Sequence, residues 1–182
     1  MGKHAAREKD GESMENVVFL DIDGVLNSTL WNQTHQAEIK NGILIDREKV
    51  RLLSTLIRRT RARVILPSGW RFWYDDGMRP RRKEAEVLSD MLAQKGIFLL
   101  GKTPDLTTDE IRATKMFSKV KADEILCWLD AQETAVNWIV LEDRDLHNTV
   151  VSARQIKTDT TTGLTPNDVE AAVRLFQEAN DR

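Results

Sequence analysis

Short apolar runs alternate with amphipathic stretches from residue 17 onward, and no other feature narrows the possible folds as far. "VVFL" (17–20), "RVILP" (63–67), "IFLL" (97–100), "NWIVL" (137–141) and "ARQIKT" (153–158) read as strands. A polar loop containing Trp31 follows the first and leads to a helix capped by Asp46, with Val50, Leu53 and Ile57 on one face. "RRKEAEVLSDMLAQKG" (81–96) reads as a helix with Val87, Leu88, Met91 and Leu92 inward and Gly96 as its stop. Thr107 and Glu110 have capping-box spacing before a short helix. In the helix "ADEILCWLDAQ" (122–132), Ile125, Leu126 and Leu129 are expected to be buried, with Cys127 as a small core residue. Thr165, Pro166 and Asp168 open a last helix packed through Val169, Val173 and Phe176. Strands separated by helices imply an α/β fold, a parallel sheet covered on both faces. The expectation is one domain over residues 15–182 with about five strands, preceded by a polar tail at 1–14.

Composition bounds the function. A chain of 182 residues can bury one sizeable core and is short for two. With 27 basic against 29 acidic residues, the net charge of −2 creates no global field to gather nucleic acid or membrane. Cys127 is the single cysteine, which excludes an intrachain disulfide and fits a reducing compartment. His4, His35 and His147 are far apart and form no zinc spacing. No apolar run approaches the ~18 residues of a membrane span, and the first residues lack a signal-peptide core. A cytoplasmic protein without a membrane partner is expected; its oligomeric state is not legible.

In an open parallel sheet, ligands bind beyond the carboxyl ends of the strands. The first strand ends in "DIDG", with Asp21 and Asp23 two residues apart and so on one side of an extended chain. Gly24 then lets the backbone turn sharply away. Unpaired, the two charges would repel; a hard cation such as Mg²⁺ would use their oxygens directly. A strand end with two solvated aspartates is the competing reading. The second strand ends in "PSGWR" (67–71) and the fourth in "EDRD" (142–145), so a hydroxyl, cations and more carboxylates converge on the same edge.

The ordered set "FLDIDGVLN", "VILPSGWR", "KADEILCWL" and "VLEDRD" resembles the haloacid dehalogenase (HAD) superfamily of phosphatases and phosphotransferases. The narrower pattern of D-G-V-L-N, S-x-W-R, E-I-x-x-W-L and the "TD…GLT" segment at 158–165 is similar to the small HAD domain of Swiss-Army-knife RNA repair proteins. The resemblance covers residues 17–165 and implies a Rossmann-like, HAD-like sheet. It implies Asp21 as nucleophile and metal ligand, and Asp23 as general acid/base with its backbone carbonyl as a second ligand. Ser68 would bind the transferring phosphoryl group, Lys121 would neutralise it, Asp143 would bind Mg²⁺ and Glu142 would act through water. Lys115 and Lys119 compete with Lys121 for the lysine role. Two departures stand out: Pro67 where relatives often carry a hydroxyl, and Glu142-Asp143 in place of the commoner Asp-Asp.

Ser68, Gly69, Trp70 and Arg71 are the expected substrate-binding segment. Trp70 and Arg71 could stack a base and hold a phosphate, or equally roof the core and pair with a local carboxylate. Trp31, Trp73 and Tyr74 could extend an aromatic rim, although burial is the simpler reading of each. "RPRRK" (79–83) places cations at a helix start, where the dipole disfavours them. A bound polyanion or a plain solvated face would account for it. His147 reads as surface. The stretches 27–46 and 70–101 leave no room for a large cap domain, which implies an open site able to admit a polymer end. The resulting expectation is a Mg²⁺-dependent phosphomonoester hydrolase using a phosphoaspartate on Asp21, acting on RNA or DNA ends or nucleotides. A small-metabolite phosphatase, or a phospho-accepting or binding module, is the alternative.

Overall fold

The computed structural model describes residues 14–180, so the tail expected at 1–14 lies outside it apart from Met14. The chain runs β1 (Glu15–Leu20), α1 (Thr29–Thr34), α2 (Gln36–Lys40), α3 (Arg47–Thr60), β2 (Arg63–Leu66), α4 (Lys83–Ala93) and β3 (Leu99–Lys102). It continues through α5 (Asp109–Thr114), α6 (Phe117–Asp130), β4 (Val136–Glu142), α7 (Thr149–Ser152), β5 (Gln155–Lys157) and α8 (Pro166–Asn180). A 3-10 turn, Gly69–Trp73, follows β2. The sheet order is β3-β2-β1-β4-β5 and every pairing is parallel.

β1 lies at the centre, and its alternation shows why. Val18 and Leu20 point into the larger core cluster, shared with Leu53 and Leu56 of α3, Leu88 of α4 and Phe176 of α8. Val17 and Phe19 point to the opposite face, among Ala122 and Ile125 of α6 and Val151 of α7. Both faces of a parallel strand are buried, so its sequence reads as an unbroken apolar run. Each such side chain contributes roughly 1.5–3 kcal/mol by leaving water. The sheet therefore fixes β1, and β1 fixes the acidic loop at its carboxyl end.

Helix ends obey local chemistry. The Asp46 carboxylate accepts from the Glu48 amide at 2.8 Å, as expected of an N-cap. Thr165 and Asp168 bond reciprocally, Asp168 accepting from the Thr165 amide at 2.8 Å and Thr165 Oγ1 accepting from the Asp168 amide at 3.3 Å.

Several local expectations shift. β3 begins at Leu99 rather than Ile97, because the Ile97 amide donates to Leu92 O at 3.0 Å and closes α4. The cap of α5 is Thr108, one residue beyond Thr107, and it accepts from the Ile111 amide at 3.2 Å. α6 starts at Phe117, so Lys121 lies one turn inside it. Cys127 is exposed, not a core residue, because the inward face of α6 is carried by Val120, Ala122, Glu124 and Ile125. Between β1 and α3 stand only the short α1 and α2, and no cap-sized insertion occurs among the described residues. None of the helices described is long and apolar enough to cross a membrane.

Candidate active site

Strand register assembles the site. Leu20 pairs with Leu141, so Asp21 and Glu142 emerge side by side at the carboxyl ends of β1 and β4. The Asp21 amide extends the ladder by one bond, donating to Leu141 O at 3.0 Å. Phe19 pairs with Ile65, which brings the Pro67–Ser68 segment alongside Asp21 from the other neighbour. The three strand ends singled out in the sequence therefore meet. They open into a cleft of about 450 Å³ whose walls include Asp21, Asp23, Ser68, Lys121 and Asp143.

Lys121 reaches in from α6. Its Nζ lies 3.2 Å from Asp21 Oδ1 and 2.5 Å from Glu142 Oε2. Lys115 and Lys119 are both exposed and make no such contact. Burial works against the Lys121 charge, but the Asp21 and Glu142 carboxylates outweigh it and raise the ammonium above its ordinary range. Glu142 shows the converse imbalance. Burial and then the Asp21 charge push its carboxyl up to about 8, although Lys121 opposes them.

Carboxylate oxygens of Asp21, Glu142 and Asp143 all lie within 4.8 Å of one another. One ammonium does not neutralise three carboxylates. An all-oxygen donor set short of positive charge fits a hard divalent cation. Asp143 is held in place by Thr160, whose Oγ1 donates to Oδ2 at 2.7 Å.

Asp23 lines the same cleft but is not one of the three clustered carboxylates. Asn27 Nδ2 donates to its Oδ1 at 2.9 Å and Trp70 Nε1 to its Oδ2 at 3.1 Å. Both oxygens are engaged, which sets the direction of an otherwise exposed side chain. The turn carrying it depends on Gly24, at φ +79°, whose amide donates to Asn27 Oδ1 at 2.9 Å. A Cβ there would stand 2.4 Å from Asp143 Cγ, so only glycine lets the two acidic loops approach this closely. Thr158 Oγ1, donating to Gly24 O at 2.7 Å, and the Leu164 amide, donating to Val25 O at 2.9 Å, brace that turn from the segment after β5.

Ser68 is 1% exposed and caps the 3-10 turn, its Oγ accepting from the Trp70 amide at 3.4 Å. With three residues per turn, positions three apart share a side. Trp70 packs against Trp73 with the rings tilted by 47° and their centroids 4.5 Å apart, and Trp70 is 4% exposed. Gly69 and Phe72 both line the cleft. Arg71 also borders the cleft, but its guanidinium is buried and bonded to Pro67 O and Glu124 Oε1, each at 2.7 Å. Trp70 and Arg71 thus adopt the burial and carboxylate pairing left open by the sequence. Tyr74 and Trp31 are buried and Trp73 is half-buried. "RPRRK" opens α4 with Arg82 as a cap lacking a side-chain bond; Arg82 instead packs its guanidinium 5.3 Å from the Trp73 ring centre. His147 is exposed.

Phe72, Glu124 and Thr160 line the cleft although the sequence did not single them out, and Asn27, the end of the D-G-V-L-N pattern, lines it without having been given a role. Phe72 stands three residues after Gly69, on the same side of a 3-10 turn that the sequence does not announce. Glu124 is a buried carboxylate on an amphipathic helix, and distant partners explain it: Arg71, 53 positions away, and the Leu106 amide, which donates to it at 3.1 Å.

Fold and strand-end residues together define an α/β, Rossmann-like protein of HAD type. Residues 17–169 match the family described as the HAD domain in Swiss Army Knife RNA repair proteins, and the chain belongs to that family. No curated protein and no solved structure matches it.

Proposed function

We propose that this protein is a Mg²⁺-dependent phosphomonoester hydrolase that works through a phosphoaspartate on Asp21. The juxtaposition that carries this reading is Asp21, buried and ion-paired to Lys121, in one open cleft with Ser68 and Asp143. Lys121 engages Asp21 through Oδ1, which leaves Oδ2 to attack phosphorus. As the new P–O bond forms, the ester P–O bond breaks and the leaving oxygen takes a proton from Asp23. Water then attacks the phosphoaspartate and gives its proton to Asp23. Phosphate departs and the Asp21 carboxylate is regenerated.

Ser68 Oγ and the Gly69 edge of the 3-10 turn would hold the phosphoryl oxygens. Lys121 would neutralise charge shared between Asp21 and the phosphoryl group. Trp70 and Asn27 would aim Asp23. Mg²⁺ held by Asp21, Asp143 and the Asp23 backbone carbonyl, with Glu142 through water, would offset the repulsion between carboxylates and an anionic substrate. One sheet carries both core layers, which supports treating residues 15–182 as a single catalytic domain.

The family description and the open cleft favour phosphorylated RNA ends or nucleotides as substrate. Hydrolysis of an aryl phosphate by purified protein with Mg²⁺ tests the chemistry. Asp21→Asn should lower turnover by on the order of 10⁶ while the fold persists. Comparable turnover by the folded Asn variant, or turnover surviving thorough chelation, would remove the covalent or the metal part of the reading.

A further inference from the structure

Two exposed phenylalanines line the cleft. Phe72 is 56% exposed and Phe117 44%, yet both belong to the wall that also holds Asp21 and Ser68. Large apolar side chains are left in water at a cost, and two of them on the wall of one candidate catalytic cleft are surface a ligand could cover. Their positions in the chain add to this. Phe72 stands one 3-10 turn beyond Gly69, and Phe117 one α-helical turn before Lys121, on the same helix face. Each ring is thus one turn removed from a residue assigned to the phosphoryl group.

The Phe72 ring is braced. The Arg71 guanidinium packs 4.5 Å from its centre, and Arg71 is itself fixed by Glu124 and Pro67 O. A buried cation against one side holds the ring in place. Two more cations, Arg112 and Arg144, line the same cleft. Arg112 shares an exposed pair with Asp105 at 3.6 Å, whereas Arg144 makes no ion pair among the described residues. Rings with outlying guanidinium groups are the arrangement that binds single strands, bases stacking while phosphates meet cations. A base inside a duplex is stacked on both faces, and the end pair of a duplex frees only one, whereas unpaired bases can turn to meet separate rings.

We infer that Phe72 and Phe117 form a stacking platform that selects the unpaired, phosphorylated end of a single-stranded nucleic acid, with Arg112 and Arg144 on its adjoining phosphates. This rests on the phosphohydrolase reading for the position of the terminal phosphate, and it adds the preference for an unpaired end and the side chains that read it. Neither ring belongs to the core clusters, so both can be replaced without opening the interior.

The test uses full-length Asp21→Asn protein with Mg²⁺ and labelled short single-stranded RNAs carrying phosphate at the 5′ or the 3′ end, read by fluorescence anisotropy. Inorganic phosphate, a blunt RNA duplex and a phosphoserine peptide serve as competitors. The better RNA should bind more tightly than all three. Phe72→Ala and Phe117→Ala should each weaken it roughly tenfold, a larger factor than for inorganic phosphate. Phe72→Trp should bind as well as Phe72 or better, and Phe72→Leu should behave like the alanine variant. The platform is refuted if leucine serves as well as phenylalanine, if RNA and phosphate weaken by one factor, or if the peptide competes equally. Aryl phosphate hydrolysis by unsubstituted protein separates the two readings. Hydrolysis without ring-dependent RNA binding would remove the platform alone, and ring-dependent binding without hydrolysis would remove the activity alone.

Discussion

Replacing Gly24 by alanine should damage the acidic cluster more than it damages the fold. The new Cβ would lie 2.4 Å from both Cγ and Oδ2 of Asp143 and 2.8 Å from its Cβ. Ordinary contact needs about 1 Å more than the closest of these, so Asp143 must withdraw by roughly that distance. Metal ligation tolerates about 0.2 Å. The backbone term is separate: Gly24 has φ +79°, and a side chain in this region costs about 1–2 kcal/mol. For a chain of this size that is a Tm loss on the order of 2–8 °C. Gly96→Ala supplies the control, since Gly96 has φ +72° and a Cβ added there would meet nothing within 4 Å. It should bear the backbone cost alone. Thermal unfolding and Mg²⁺ titration calorimetry on both variants would separate the terms. The expected outcome is Mg²⁺ affinity reduced at least tenfold in Gly24→Ala and retained in Gly96→Ala. Equal Mg²⁺ affinity in the two would show that Asp143 is not the ligand whose position Gly24 protects.

Side chains around the cluster give two further expected outcomes. Trp70→Phe removes the indole N–H that holds Asp23 Oδ2 and should cut kcat by about tenfold for alkyl phosphates, whose leaving group needs a proton. Equal losses on alkyl and aryl phosphates would show that Trp70 acts on something other than the acid. For Glu142, the folded-state carboxyl is raised to about 8, so its contribution to stability is complete below its ordinary range and is lost as pH climbs through 8. In metal-free buffer Glu142→Gln should therefore gain on the unsubstituted protein between about pH 5 and 8, by a few kcal/mol at most, as measured by urea unfolding. A gap that narrows with rising pH would contradict the direction of the shift.

The central strands were readable because a parallel strand buried on both faces leaves a continuous apolar run, as in "VVFL". β3 was displaced because Phe98, just before the edge strand, and Leu100, within it, are apolar yet exposed, while the buried Ile97 closes the preceding helix. The strand-end carboxylates, Ser68 and Lys121 were visible through their order along the chain and their resemblance to a family pattern. The residues that escaped depend on tertiary pairing or on a local period: Glu124 meets Arg71 and the Leu106 amide, Thr160 meets Asp143, and Phe72 is placed once "GWRFW" is known to be a 3-10 turn. Cys127 misled because its helix buries a narrow face that includes a glutamate and leaves the cysteine outside. Hydrophobic pattern places elements; it does not say which polar groups meet.

The division of labour between Asp21 and Asp23 is tested most directly by locating phosphate on the Asp23→Ala protein. Each proton transfer assigned to Asp23 is worth roughly 10²–10⁴ in rate. An aryl leaving group needs no proton, so the variant should complete the first step, release about one equivalent of nitrophenolate per site, and stall. Mass spectrometry of the quenched protein should then find the phosphoryl group on Asp21, with an alkyl phosphate giving almost none. Phosphate on any other residue, or steady nitrophenolate release with no covalent species, would contradict the account.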